Sequence, residues 1–256
     1  MKKIGLALGG GAARGIAHIG ILKALTAHQI PIDVIAGVSC GSLVGGLFAA
    51  DLSPEYMMAH LRNLRWRDIA GFQLSKKGMA SSRPLTQFIR HHIGFKTLAS
   101  LSMPFATVAT DVLTGEPVVL NEPTMDLSVA IQASLSFPGV FSPLKMADRY
   151  LMDGGASYMV PVDLVKEMGA DVVIAVDVIP RVILTELPTH LIEIADRGLD
   201  LVLAHLALKN CQNADIILRP IEEHITSFDI HKADRMIALG EQIVTQHIDE
   251  IRRKIL

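Results

Sequence analysis

An α/β fold, with a parallel sheet covered by helices on both faces, is predicted for this chain of 256 residues. Three observations predict it. Short apolar runs alternate with longer amphipathic ones along the chain. A glycine-rich loop, Gly9-Gly10-Gly11-Ala12-Ala13-Arg14-Gly15, directly follows the first apolar run. A second tight junction, Gly37-Val38-Ser39-Cys40-Gly41, joins the second run to a helix rich in small residues. Half of the residues are hydrophobic, enough for one large core or one core with a small appendage.

Each element follows from local pattern. Ile4–Leu8 is apolar and bounded by glycines, as a buried parallel strand is. Gly15–Gln29 carries Ile16, Ile19, Ile21, Leu22 and Leu25 at helical spacing. Val34–Val38 is the second strand and Gly41–Asp51 the second helix; Pro54 marks the start of a third, Glu55–Leu64. Residues Arg65–Ser102 are polar and irregular, with a helix around Leu85–His92. They read as an excursion from the sheet, either a lid over a substrate path or a plain surface insertion. Phe105–Thr110 and Pro117–Leu120 are strands around the Thr114-Gly115 turn, and the helix Leu127–Leu135 stops before Pro138. Tyr150–Met152 is a brief strand, Pro161–Met168 a helix and Ala170–Val178 a strongly apolar strand. Leu187–Lys209 and His231–Lys254 are amphipathic helices flanking the strand Asp215–Leu218. One domain over 1–256 is expected, with 187–256 as a helical part packed on it.

Composition narrows the function classes. Net charge is −2, yet residues 1–100 hold 12 Lys/Arg against 4 Asp/Glu, while residues 101–256 hold 12 against 22. The basic first part suits anionic headgroups or phosphate esters; a solvated dipolar surface is the plainer reading. No nucleic-acid partner is expected. Cys40 and Cys211 offer neither a disulfide framework nor metal-ligand spacing, which fits a reducing compartment; the serine chemistry described below requires neither metal nor organic cofactor. The apolar start ends at the glycine cluster without a cleavage site, and no apolar run reaches the ~18 residues of a membrane span. A cytoplasmic protein is expected, with peripheral membrane contact at most. The oligomeric state is not set by the sequence.

The chemistry centres on Ser39. A serine in a Gly-x-Ser-x-Gly turn between strand and helix holds its hydroxyl clear of the backbone, with the helix N-terminus behind it. Five residues alone are a weak signal, so the context decides. The loop Gly9–Gly15 admits a dinucleotide fingerprint, but the glycine spacing is broken by Ala12 or Arg14 and the second strand lacks a terminal acid. Loops at the C-terminal ends of neighbouring parallel strands share one edge, so amides of Gly10, Gly11 and Ala12 are candidates for an oxyanion hole facing Ser39. Tight packing without any anion is the alternative. Arg14 either braces this loop through carbonyls or binds a substrate phosphate. None of the ten histidines sits in the late glycine-rich loop that a catalytic-triad histidine usually occupies. Asp153 is the better base: Asp153-Gly154-Gly155 ends a strand, and two glycines able to take positive φ let the acid be aimed at a neighbouring loop.

These blocks, with Ala133-Ser134-Leu135-Ser136-Phe137-Pro138 between them, resemble the patatin-like phospholipases, especially their short bacterial members. The likeness spans residues 4–160 and is looser beyond about 180. It implies a three-layer α/β/α fold with a mostly parallel sheet, the patatin-like (FabD/lysophospholipase-like) fold. It also implies lipid acyl hydrolase activity through a Ser39–Asp153 dyad, with Gly9, Arg14, Gly15, Gly37, Gly41, Gly154 and Gly155 as supporting motif residues. A lipid or other acyl ester is the implied substrate. The rival reading is a regulatory or interaction protein on the same fold with little turnover; an acyltransferase is a third. Ala12 departs from the family, where many members carry another glycine; its N–H survives.

Overall fold

The computed structural model describes residues 2–61, 71–75 and 78–256. The end of the predicted helix Glu55–Leu64 (62–64) and parts of the 65–102 excursion (65–70 and 76–77) lie outside the described residues.

One eight-stranded sheet organises the chain. Its strands are β1 (Ile4–Leu8), β2 (Val34–Val38), β5 (Phe105–Asp111), β6 (Pro117–Leu120), β7 (Leu144–Met146), β8 (Arg149–Asp153), β9 (Val172–Val176) and β10 (Ile216–Leu218). A separate hairpin pairs β3 (Gly71–Ser75) with β4 (Gly78–Ser81), within the predicted excursion. The main order is β10-β9-β1-β2-β5-β8-β7, and β6 pairs with β5. From β10 to β5 all neighbours are parallel, whereas β5 pairs antiparallel with β6 and β8, as does β7 with β8. The parallel part is apolar on both faces, and the antiparallel end is more exposed. Strand β7 carries no apolar run that the sequence would reveal.

Helices lie on both faces. They are α1 (Ala17–Ala27), α2 (Cys40–Ala49), α3 (Pro54–Leu61), α4 (Arg83–Ile93), α5 (Leu127–Ser134), α6 (Val162–Glu167), α7 (Leu191–Asn210) and α8 (Ala233–Ile255). Alternation along the strands sorts the two cores. Leu6, Leu8 and Ile35 face α1, α2, α5 and α8, whereas Ala7, Ala36 and Val38 face α6 and α7. The result is a three-layer α/β/α arrangement. Helix α1 crosses α8 closely because Gly20 and Gly240 bring the two backbones together; a Cβ at either would overlap a carbonyl of the other helix. The predicted helix Gly15–Gln29 starts instead as a 3-10 turn, Ala12–Ile16, that lets the glycine loop curl before α1 begins. None of the described helices is long and apolar enough to cross a membrane.

Register sets the site. On one edge of β5, Thr107 and Val108 pair with Gly37 and Val38 at the end of β2. On that same edge the next residue, Ala109, pairs with Asp153 at the end of β8, since β6 occupies the opposite edge of 107–110. Strands β2 and β8 therefore run toward each other along β5. The residues that leave their facing ends are Ser39 and Asp153.

Candidate active site

Ser39 lies in the sharp turn from β2 into α2, at φ 52° and ψ −124°. Such a backbone costs a non-glycine residue ~1–3 kcal/mol, and the surrounding contacts hold it. Ser42 and Leu43 donate their N–H groups to the Ser39 carbonyl, at 2.9 and 3.2 Å, and the Ser42 hydroxyl adds a third bond at 2.6 Å. The Ser39 N–H donates to Ser134 Oγ at 2.9 Å. Gly37 and Gly41 are required by space: a Cβ on Gly37 would overlap the backbone at Gly41, and one on Gly41 would overlap the Leu8 and Gly9 carbonyls.

The Ser39 hydroxyl donates to Asp153 Oδ2 at 2.6 Å, and both residues are buried. The Gly155 N–H donates to Asp153 Oδ1 at 2.8 Å, fixing the carboxylate on both sides. Burial pushes the Asp153 carboxyl up to about 6, against the pull of the hydrogen bonds from Ser39 and Gly155. Gly154 and Gly155 do not take positive φ, contrary to the expectation above; they form a 3-10 turn. Gly154 is needed because a Cβ there would overlap the Val108 carbonyl.

Three further braces hold the pair, and of these only the 133–138 segment was marked in the sequence. Thr107 and Thr110 of β5 donate their hydroxyls to the Gly37 carbonyl at 2.7 Å and the Asp153 carbonyl at 2.9 Å. The 133–138 segment touches both partners: besides the Ser134 bond, the Asp153 N–H donates to the Ser136 carbonyl at 2.9 Å.

The glycine loop divides its amides. Gly9 and Gly10 donate to the carbonyls of Val176 and Met159, both at 3.0 Å, so the Gly10 N–H is already committed. Among the described residues, the N–H groups of Gly11 and Ala12 have no acceptor. Ala12 sits at φ 51°, a conformation glycine adopts without cost. His18, wholly buried behind the loop, bonds through Nε2 to the Gly9 carbonyl at 2.8 Å. Burial pushes its imidazole down to about 4, with that carbonyl pulling the other way. It is therefore neutral near pH 7 and donates from Nε2, and Nδ1 has no partner among the described residues. No histidine lines the space around Ser39 among those residues.

Arg14 is held by α7 and the segment at Ile225. Its Nε donates to the Ile225 carbonyl at 2.7 Å, while Nη1 and Nη2 grip Asp200 at 2.7 and 2.8 Å. Asp196 lies 3.4 Å from Nη2 and accepts the Ser227 N–H at 3.2 Å; the Ser227 carbonyl accepts the Ala13 N–H. These contacts are those of a brace, made to one carbonyl and two carboxylates rather than to carbonyls alone, and the guanidinium is buried. Gly15 packs where a Cβ would overlap Cys40. Burial, with the nearby Asp153 charge, pushes the Cys40 thiol up to about 12, leaving it protonated.

Two clefts meet at Ser39. One, about 920 Å³ and open to solvent, is walled by apolar side chains that include Ile19, Val44, Leu85, Val140 and Phe141. The other, about 760 Å³ and likewise open to solvent, is walled by the glycine loop, Met159, Ile179, Leu199 and Leu203. Both touch Ser39, Asp153, Ala12, Phe137 and Ser227.

Comparison with known proteins identifies the family and the fold. A family model described as patatin-like phospholipase matches residues 6–166. An uncharacterized NTE family protein of Mycobacterium tuberculosis is 36% identical over 178 residues, which cover 68% of this chain and 48% of that protein. Lysophospholipase NTE1 of Scheffersomyces stipitis is 32% identical over 189 residues, covering 69% of this chain and 12% of that protein. The chain thus spans about half the length of the mycobacterial relative and far less of the yeast one. Among solved structures, VipD of Legionella pneumophila superposes with a TM-score of 0.60 at 13% identity, over 97% of this chain and 67% of that one. ExoU of Pseudomonas aeruginosa, in complex with SpcU, gives 0.54 at 16%, over 98% and 52%. These two share the fold. The chain belongs to the patatin-like phospholipase family.

Proposed function

We propose that the chain is a serine acyl hydrolase that cleaves lipid carboxylic esters. The observation that carries this reading is the 2.6 Å hydrogen bond from Ser39 to a buried Asp153 at the meeting point of two largely apolar clefts. Its relative's name, lysophospholipase, gives independent support for the substrate class.

Ser39 Oγ attacks the ester carbonyl while the Asp153 carboxylate takes its proton. A carboxyl held near 6 is basic enough to accept that proton at neutral pH and acidic enough to return it. Negative charge collects on the former carbonyl oxygen, which the N–H groups of Gly11 and Ala12 receive; Gly10 is left out because Met159 holds its amide. Protonated Asp153 gives its proton to the departing alkoxide oxygen, leaving Ser39 acylated. Water, deprotonated by Asp153, then attacks the acyl-enzyme, releasing the carboxylic acid and restoring the Ser39 hydroxyl. His18 takes no proton in this sequence: it fixes the Gly9 carbonyl and thereby the loop.

The test is turnover of p-nitrophenyl octanoate by Ser39→Ala and Asp153→Asn. Both are expected to lose at least about 10³-fold in kcat. Turnover equal to the parent chain's in either folded variant contradicts the dyad.

A further inference from the structure

An ester bound at Ser39 presents two substituents in different directions, the acyl carbon and the alkoxy oxygen, and two clefts diverge from that point. We infer that the second cleft is a subsite for an apolar alcohol arm, so that the preferred substrate is a neutral ester with hydrocarbon on both sides of the scissile bond. The inference rests on the acyl-hydrolase reading above and adds the substrate class to it.

The first cleft is the more deeply apolar and takes the acyl chain. The second holds the glycine-loop amides and is lined by Leu199 and Leu203, one turn apart on α7, together with Met159 and Ile179. Asp153, the group that returns a proton to the alcohol oxygen, lies between the clefts.

The charge in this wall disfavours a phosphate. Arg14 is its one cation among the described residues, and that guanidinium is spent on Asp200, Asp196 and the Ile225 carbonyl. A guanidinium held in this way offers an anionic headgroup no free donor. Hydrophobic walls with no unpaired cation fit an alkyl chain instead.

The experiment is kcat/KM for two ester series, each kept below its aggregation concentration. Octanoyl esters of methyl to octyl alcohol vary the alcohol arm, and p-nitrophenyl esters of butyrate to decanoate vary the acyl arm. In the parent chain the octyl ester should exceed the methyl ester by at least about tenfold, because each buried methylene contributes up to about fourfold. Leu203→Trp, which fills the second cleft, should reduce that ratio to within about twofold while the acyl series keeps its slope. Val140→Trp should do the reverse. Both readouts are ratios within one protein, so a partly folded variant cannot imitate them, and Leu199→Trp replaces Leu203→Trp if the latter is insoluble. A dioctanoyl glycerol should also be preferred at least about tenfold over the same diester carrying a phosphate.

A flat alcohol series in a chain with intact Ser39-dependent turnover overturns the subsite alone. So does equal compression of both series by Leu203→Trp, or preference for the phosphate ester. Absence of any Ser39-dependent ester hydrolysis overturns the hydrolase reading and the subsite with it.

Discussion

Asp153 shows a conflict between function and stability at a single side chain. Burial lifts its carboxyl to about 6, so the folded chain holds a proton where the unfolded chain, near 3.8, has lost it. Its contribution is therefore most favourable below about pH 4 and is lost as pH rises through about 6. At pH 8 the buried charge costs roughly 3 kcal/mol, a net figure in which the bonds from Ser39 and Gly155 already count. Asp153→Asn should then unfold at higher denaturant concentration than the parent chain at pH 8, by roughly 2–3 kcal/mol, and lose that advantage near pH 4. Under the proposed mechanism activity runs the other way: kcat/KM of the parent chain should fall tenfold per pH unit below about 6, as the proposed base becomes protonated. Equal stabilities at both pH values would show that the carboxyl is not raised. Much of this residue pair was legible in the sequence, because a serine between two space-limited glycines and an acid before two glycines are local patterns. The reason for Gly154 was not: its crowding comes from Val108, more than forty residues away in sequence.

At the scale of elements, β5 is the common support. It receives the ends of β2 and β8 at adjacent positions and braces each with a threonine hydroxyl. The Phe105–Thr110 strand was legible from its apolar run; that two other strands would end on the same edge of it was not, since register between distant strands has no local signature. Helix α7 teaches the same lesson. Asp196 and Asp200, spaced i and i+4, look like a solvated helix face, yet both are buried against Arg14. That ion cluster ties α7 to the glycine loop. Arg14→Lys, which loses the two-pronged grip on Asp200 and the bond to Ile225, should cost about 2–4 kcal/mol in chemical denaturation. A change under about 0.5 kcal/mol would mean that the cluster contributes little to holding the helix.

At the scale of the molecule, the matched region 6–166 does not contain its own core. Strand β1 lies between β2 and β9, and α1 packs along α8, where Met236, Ile237, Val244 and Ile251 are buried. Full burial of such side chains contributes ~1.5–3 kcal/mol each. A fragment ending at residue 170 should therefore show no cooperative unfolding transition, whereas the whole chain should show one; a folded fragment would confine the core to the first part. The proposed chemistry turns on one hydroxyl, that of Ser39, being a nucleophile. Its most direct measurement is intact and peptide mass after exposure to a fluorophosphonate, which phosphonylates activated serines with loss of fluoride. A single adduct at Ser39, absent in Ser39→Ala and formed at least about 10²-fold more slowly in Asp153→Asn, is the predicted result. No adduct on the folded chain, or an adduct that survives Ser39→Ala, would contradict it.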